Sequence, residues 1–255
     1  MRILVACEYS GVVRDAFIAR GHDAMSCDLL PTESPGPHYQ GDVMYIINDG
    51  WDMMIAFPPC TYLTNASAVR MRVKGIIQKE RYQKMLEARK FFIDLYNFPI
   101  EHIAIENPTP MKICELPMYS QAIQPYHFGH PYSKRTCLWL KNLPPLISTC
   151  IIENHEPYVN GGCKDAYGNY RKFQGRKERD QKSRSKTFTG IAAAMAEQWG
   201  EIMEGAKMKQ KCAFCGGTLE YHDDSDDAEA PALIEWLECP VCKRKYDYFT
   251  LQLRV

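Results

Sequence analysis

The sequence predicts an α/β fold: a mostly parallel sheet with helices on both faces, followed by a small C-terminal module built on four cysteines. Three observations carry this. Apolar runs alternate with helix-patterned segments from residue 1 to about 206, which is the arrangement of strand–helix–strand units. Several of those runs are apolar at almost every position, as strands covered on both faces are. From about residue 207 the alternation stops and two Cys-x-x-Cys pairs appear.

The elements follow in order. Arg2 to Cys7 is an apolar run, hence a strand, and Val12 to Arg20 is helical in pattern and stops at Gly21. Ala24 to Leu29 and Trp51 to Ala56 read as the second and third strands. Lys79 to Tyr96 is a helix with Tyr82, Met85, Leu86, Phe92 and Leu95 on a broad apolar face, ended by Pro99. Ile100 to Ile105 and Thr136 to Leu140 are further strands, and Thr189 to Met203 is an Ala-rich helix. No internal repeat is visible. The expected domains are 1–206, within which 141–186 is a short region ending in a basic loop, and 207–255.

Composition narrows the function classes. A chain of 255 residues fits one large domain, or one domain and a small module, and 45% hydrophobic residues suffice for a sizeable core. Formal net charge is zero, so charge must be read locally. No run of ~18 apolar residues exists to span a membrane, and a membrane partner is not expected. The chain starts directly on a strand, without the regions of a signal peptide. Eleven cysteines in a reducing cytoplasm are then thiols, metal ligands or a nucleophile rather than disulfides.

Two strand ends carry chemistry. Trp51–Ala56 runs into Phe57-Pro58-Pro59-Cys60. The prolines stiffen the turn and remove backbone donors, presenting a thiol at the carboxyl edge of the sheet, where open α/β folds bind ligands. Cys60 is a candidate nucleophile; a buried structural thiol is the other reading. Downstream, Ile103-Ala104-Ile105 runs into Glu106-Asn107-Pro108. In a parallel sheet Glu106 and Cys60 open onto one crevice. A thiolate there can add to carbon 6 of a pyrimidine, and a protonated carboxyl at ring nitrogen 3 stabilises the charge that results. Carbon 5 then becomes able to accept a methyl group. Asn107 is placed to position the Cys60 loop.

The first strand runs into Glu8-Tyr9-Ser10-Gly11, and Asp28 lies about 20 residues beyond that turn, where an acid can hold ribose hydroxyls. Asp42 could reach an adenine amino group. The turn has one glycine rather than G-x-G-x-x-G, so it suits a nucleoside cofactor without phosphates, such as S-adenosylmethionine. Asp28 as a loop carboxylate capping a turn is the alternative.

The order Glu8 to Gly11, Asp28, Asp42, Phe57-Pro58-Pro59-Cys60 and Glu106-Asn107 resembles the cytosine-5 DNA methyltransferases, in particular a compact branch such as occurs in phage genomes. The resemblance covers roughly residues 1–205 and implies a Rossmann-like S-adenosylmethionine-dependent methyltransferase sheet. It implies that Cys60 is the nucleophile, that Glu106 contacts the base, and that Asp28 and Asp42 hold ribose and adenine. With Glu8, Tyr9, Ser10, Gly11 and Pro58 these acids form the expected cofactor set. Phe128 to Arg135 is similar to the family's later segment, where Gln-x-Arg-x-Arg follows Gly-x-Pro. Direct alignment from Pro131 puts the first arginine on Lys134; a shift of one residue puts it on Arg135, to which we assign the base contact. Thr187 to Trp199 is similar to the helix segment that returns to the cofactor. The implied partner is DNA with a flipped cytosine, in the host cytoplasm if the chain is phage-encoded. Amino-directed methyltransferases also use a Pro-Pro turn, but Phe57 and Cys60 lack the polar and aromatic ends that chemistry wants.

Arg171 to Lys186 carries Arg171, Lys172, Arg176, Lys177, Arg179, Lys182, Arg184 and Lys186, with Tyr167, Tyr170 and Phe173 alongside, a combination that suits a nucleic-acid backbone and an unstacked base. A solvated loop is the plainer reading. Lys74 and Lys79 are placed to lie on a loop that closes over an extruded base. In the C-terminal module Cys212, Cys215, Cys239 and Cys242 have the spacing of a structural zinc ribbon, closed to catalysis because every ligand is protein. Two other functions stay open at this stage: methyl transfer to a free pyrimidine nucleotide, and a non-catalytic zinc-ribbon protein that binds nucleic acid.

Overall fold

The structure is a computed structural model. It describes residues 1–159 and 185–201, the backbone of 161–164, 170–173, 220–223, 235–237, 246 and 247, and Cys212, Cys215 and residues 238–245. The expectations for Tyr167 and for Arg176 to Arg184, and the expected domain boundary near residue 207, lie outside the described residues.

The elements are β1 (Arg2–Ala6), α1 (Val12–Ile18), β2 (Asp23–Asp28), β3 (His38–Gln40) and β4 (Met53–Ala56). A four-residue helix α2 (Ala68–Met71) and a hairpin of β5 (Arg72–Val73) and β6 (Ile76–Ile77) lead into the long α3 (Lys79–Tyr96). Then come β7 (His102–Asn107), β8 (Gln121–Ile123), β9 (Tyr132–Ser133), β10 (Thr136–Lys141) and β11 (Glu156–Pro157). The ribbon β12 (Gly161–Lys164) and β13 (Tyr170–Phe173), α4 (Thr189–Gly200), and β14 (Glu220–Asp223), β15 (Glu235–Glu238) and β16 (Lys245–Asp247) are the remaining described elements.

The main sheet has the order β3-β2-β1-β4-β7-β10-β8. Strands β3, β2, β1, β4 and β7 are parallel, while β10 runs antiparallel to both its neighbours. This is a mixed α/β sheet consistent with a Rossmann-like fold, with the 3-2-1-4 order that places a topological switch point between β1 and β4. Strand β4 is buried at all four positions and β1 at four of five, as expected for strands covered on both faces. On one face Met85, Phe92 and Leu95 of α3 pack with Trp139 and Met54. On the other, Val13 and Phe17 of α1 pack with Ile191, Met195 and Trp199 of α4. Each large side chain so buried contributes about 1.5–3 kcal/mol. The expected face of α3 holds except at Leu86, which is exposed.

Small residues let α4 lie close to its neighbours. A Cβ on Gly190 would sit 1.9 Å from the Phe128 carbonyl oxygen. The Gly190 amide donates instead to Nε2 of His130 at 3.0 Å. That ring must therefore accept, and burial lowers the His130 pKa in the same sense.

The least expected core element is Arg14. It is 0% exposed. Its guanidinium donates to Ser26 Oγ at 3.1 Å and to the carbonyls of Ser34 and Pro35 at 3.0 and 3.2 Å, and pairs with Asp15 at 2.8 Å. Gly11 (φ +76°) faces this group, since a Cβ there would meet Arg14 Nη2 at 2.5 Å. Removing one partner of a buried charged network typically costs several kcal/mol. Arg14→Ala is therefore expected to lower unfolding free energy by about 3 kcal/mol, with Arg14→Lys giving little rescue because a fork is replaced by a point donor. Urea unfolding checks this; a midpoint like wild type would mean that the segment after β2 is held by something else.

Candidate active site and metal centre

Three parallel strands are in register at their carboxyl ends, with β7 running on to Asn107. Ala6 pairs with Ala56 and Ala56 with Ile105. The residues that follow, Cys7 to Ser10, Phe57 to Cys60 and Glu106, line one cavity of ≈ 180 Å³. Its remaining wall includes Lys134 and Ser185–Thr187. Asn107, 0% exposed, donates from Nδ2 to the Pro58 carbonyl at 3.0 Å, tying the end of β7 to the Cys60 turn. The Cys60 carbonyl in turn accepts from the Leu63 and Thr64 amides at 3.0 and 2.9 Å, so the thiol stands on a closed turn.

Glu106 is a strand residue, paired with Leu138 of β10. The cavity walls enclose its carboxyl, although part of its surface opens into the hollow. Desolvation raises its pKa; the charge of Lys134 and a hydrogen bond with the Thr136 side chain pull the other way without cancelling it. The carboxyl is thus biased towards the protonated, hydrogen-donating form beside a thiol, as an acid in this position needs to be.

Cys7, at φ 59°, ends β1 in a left-handed conformation, a strain that clusters at functional sites. Its thiol pKa is pushed up by burial and then by the Asp28 charge, which makes it a wall rather than a nucleophile. Cys7 and Pro59 also line a second cavity of ≈ 270 Å³, together with Asp28, Leu29, Asp42 and Val43. One oxygen of each acid is committed to the backbone: Asp28 Oδ1 accepts from Leu30 N at 2.9 Å, and Asp42 Oδ1 from Met44 N at 3.0 Å. Among the described residues, neither lysine nor arginine lines this second cavity.

Glu8 is 5% exposed. Its Oε1 accepts from Ser10 Oγ at 2.8 Å and Val13 N at 2.9 Å, while Oε2, buried, has no partner among the described residues. Burial raises its pKa. Tyr9 bonds Ser185 through its hydroxyl at 3.1 Å, and Lys186 pairs with Glu33. These contacts bring a segment distant in sequence across the β1 turn.

The structure gathers Glu8, Tyr9, Ser10, Pro58, Cys60 and Glu106 on the first cavity and Asp28 and Asp42 on the second. Asn107 stands behind the first as a tie, and Gly11 faces Arg14 rather than either cavity. Arg135 is not among the lining residues; its guanidinium donates to the Tyr119 hydroxyl at 2.8 Å. Lys134, its neighbour, lines the cavity instead. Lys134, Thr136 and the Ser185–Thr187 wall are what the assigned site residues lacked. The first alignment from Pro131 contained the signal for Lys134, and the basic loop ending at Lys186 with the resemblance that starts at Thr187 contained the signal for the wall.

Cys212, Cys215, Cys239 and Cys242 bring their sulfurs within 4.8 Å of one another. The Cys212–Cys242 and Cys215–Cys239 pairs lie at 3.4 and 3.3 Å, near the ~3.8 Å edge of a tetrahedron with Zn–S bonds of ≈ 2.3 Å. The Cys242 amide donates to Cys239 Sγ at 3.5 Å. The Cys242 pKa is lowered to about 6, first by the Arg244 backbone N–H, so it supplies the thiolate that a metal requires. This four-cysteine cluster can coordinate a metal ion such as Zn²⁺.

No protein-family profile matches the sequence, and no curated protein matches it. Among solved structures, a protein described as a DNA modification methyltransferase encoded within an E. coli prophage aligns with a TM-score of 0.33 and 13% identity, over 55% of this chain and 46% of that one. The alignment therefore spans less than half of that protein. No helix among the described residues is long and apolar enough to cross a membrane.

Two expectations arise here. With Glu106 raised, the stability linked to its proton is fully present below the ordinary Glu pKa and is lost as pH rises through the raised value. Glu106→Gln is therefore expected to melt above wild type at pH 8 and alongside it at pH 4; a difference that ignores pH would contradict the buried acid. Native mass spectrometry after zinc loading is expected to show one ion per chain and none in Cys239→Ser, whereas retention of the ion by that variant would exclude this cluster as the site.

Proposed function

We propose that the chain is an S-adenosylmethionine-dependent DNA cytosine-5 methyltransferase with a structural zinc ribbon. The observation that carries this is the meeting of Cys60 and a proton-retaining Glu106 on one cavity at the carboxyl edge of the sheet. The Cys60 thiolate adds to carbon 6 of a flipped cytosine. Glu106 donates its proton toward ring nitrogen 3, so the added electron pair rests on the ring without a buried anion. Lys134 keeps the carboxylate that results in place. After methylation, the carbon 5 proton leaves to water, the carbon 6–sulfur bond breaks, and Glu106 recovers its proton.

The residues present fit the cofactor. Glu8 Oε2 is an orphaned buried acceptor that an ammonium would satisfy. The second cavity is acidic and has, among the described residues, no cation for phosphates, as suits a cationic, phosphate-free nucleoside. Glu8, Tyr9, Ser10 and Pro58 would hold the amino-acid end, and Asp28 and Asp42 the ribose and adenine between Leu29 and Val43. S-adenosylmethionine supplies the methyl group. Asn107 fixes the height of the thiol through Pro58. The reducing cytoplasm expected from the cysteines suits a reactive thiolate.

With S-adenosylmethionine present, DNA carrying 5-fluorocytosine, which cannot release its carbon 5 substituent as a proton, should form a covalent adduct with wild type and none with Cys60→Ala on a denaturing gel. Glu106→Gln should slow methyl transfer by about 10²–10³-fold. An adduct with free nucleotides but not with DNA would redirect the assignment to a nucleotide methyltransferase, and a fully active Cys60→Ala would end it.

A further inference from the structure

The carboxyl of Glu106 does not stand alone in its strand pair. Glu106 sits in β7 opposite Leu138 of β10. Side chains alternate along β10, so Thr136, two residues before Leu138, shares the face of Glu106 and is its diagonal neighbour. Cys137 points to the other face, where the Arg135 guanidinium hydrogen-bonds its thiol. Thr136 is 5% exposed, and a polar group so enclosed has to find its partners inside the protein.

It finds two. The Thr136 hydroxyl donates to the Lys134 carbonyl at 3.4 Å, and it also hydrogen-bonds the Glu106 carboxyl. A hydroxyl has one proton to give and two lone pairs to receive with. While its proton rests on the Lys134 carbonyl, the bond to Glu106 needs the carboxyl as donor, so it belongs to the protonated acid. Turned the other way, the hydroxyl donates to a carboxylate. Rotation about one bond serves both states, and a contact as long as 3.4 Å is given up at little cost.

We propose that Thr136 is a positioning residue for acid catalysis by Glu106: its hydroxyl rests on the Lys134 carbonyl while the carboxyl holds its proton, and swings to donate to the carboxylate as that proton passes to the ring. The only proton that changes owner is the one moving from Glu106 to ring nitrogen 3; Thr136 keeps its own. The bond to the carboxylate is made only as charge develops, so it favours the transition state over the bound substrate. The proposal rests on the methyltransferase reading for the ring that takes the proton, but not for the coupling between hydroxyl and carboxyl. The other titratable groups around Glu106 are Lys134 beside it, Cys60 on the facing turn, Glu8 and Tyr9 after β1, and Lys186 in the closing wall, with the Cys137 thiol behind the strand. Lys134 also favours the carboxylate, so it is the group that the test must separate from the hydroxyl.

Carbon NMR of the Glu106 carboxyl, assigned by its loss in Glu106→Gln, follows the protonation of this group in the enzyme without substrate. A hydrogen bond to the charged form outweighs one to the neutral form. Thr136→Val should therefore move the titration to higher pH, and Thr136→Ser should leave it where wild type has it. Valine matches threonine in shape and suits a strand, and thermal melting serves as the folding control. The upward move should persist in a Lys134→Met background. Single-turnover methyl transfer to duplex DNA of varied sequence should slow about tenfold or more in Thr136→Val and recover in Thr136→Ser, with duplex affinity unchanged. A titration that Thr136→Val leaves in place, or moves only while Lys134 is present, overturns the proposal, as does a loss of rate that serine does not rescue. A wild type that transfers no methyl group to DNA, yet shows the shifted titration in Thr136→Val, removes the methyltransferase reading and leaves the coupling standing.

Discussion

The level register of β1, β4 and β7 is the constraint on which the candidate site depends. Ala6, Ala56 and Ile105 stand side by side across the sheet, so whatever follows them shares one edge. A slip of one residue in β7 would turn Glu106 to the opposite face. Burial on both faces fixes the register in the core, and the Asn107–Pro58 hydrogen bond repeats it at the rim. The thiol stands on a turn and the carboxyl on a strand, yet they are held by one ladder of backbone bonds. Preorganisation of this kind places reacting groups before any substrate arrives.

Charge divides the crevice. The side beneath β2 and the turn after β3 is acidic, with Asp28 and Asp42. The side beneath β10 and the closing wall carries Lys134 and Lys186. A cationic ligand and a substrate bearing phosphates would sort themselves between the two halves. Cys7 lies at the boundary, and burial, reinforced by the Asp28 charge, biases its thiol towards the protonated form. Of the two cysteines on the first cavity, Cys60 is the one that does not face this acidic half.

Much of this was legible in the sequence, for identifiable reasons. Buried parallel strands are runs of apolar residues that end abruptly, so the polar residues just past them, Cys60, Glu106 and Asn107, mark the sheet edge directly. Four cysteines in two close pairs are equally local. The three-residue strands β3 and β8 escaped, because His38-Tyr39-Gln40 and Gln121-Ala122-Ile123 offer neither length nor periodicity. The choice between Lys134 and Arg135 lay in a link between two strands, where neighbouring side chains diverge. Contact with Tyr119 decides where Arg135 goes, and Tyr119 lies 16 residues away. The burial of Arg14 has no local signal, because its partners include carbonyls of a later segment and carbonyls leave no trace in sequence.

That last point bears on how such a site can change. The segment between β2 and β3 is gripped through the main-chain oxygens of Ser34 and Pro35, which every residue possesses. The arginine is therefore indifferent to most of the side chains it holds, while Gly11 and Gly36, whose missing Cβ atoms make room for it, are not interchangeable. The fold thus separates an anchor that must stay constant from a rim that is free to vary. Because that rim leads from Asp28 toward the turn at Asp42, its outward residues could be rewritten without disturbing the sheet beneath.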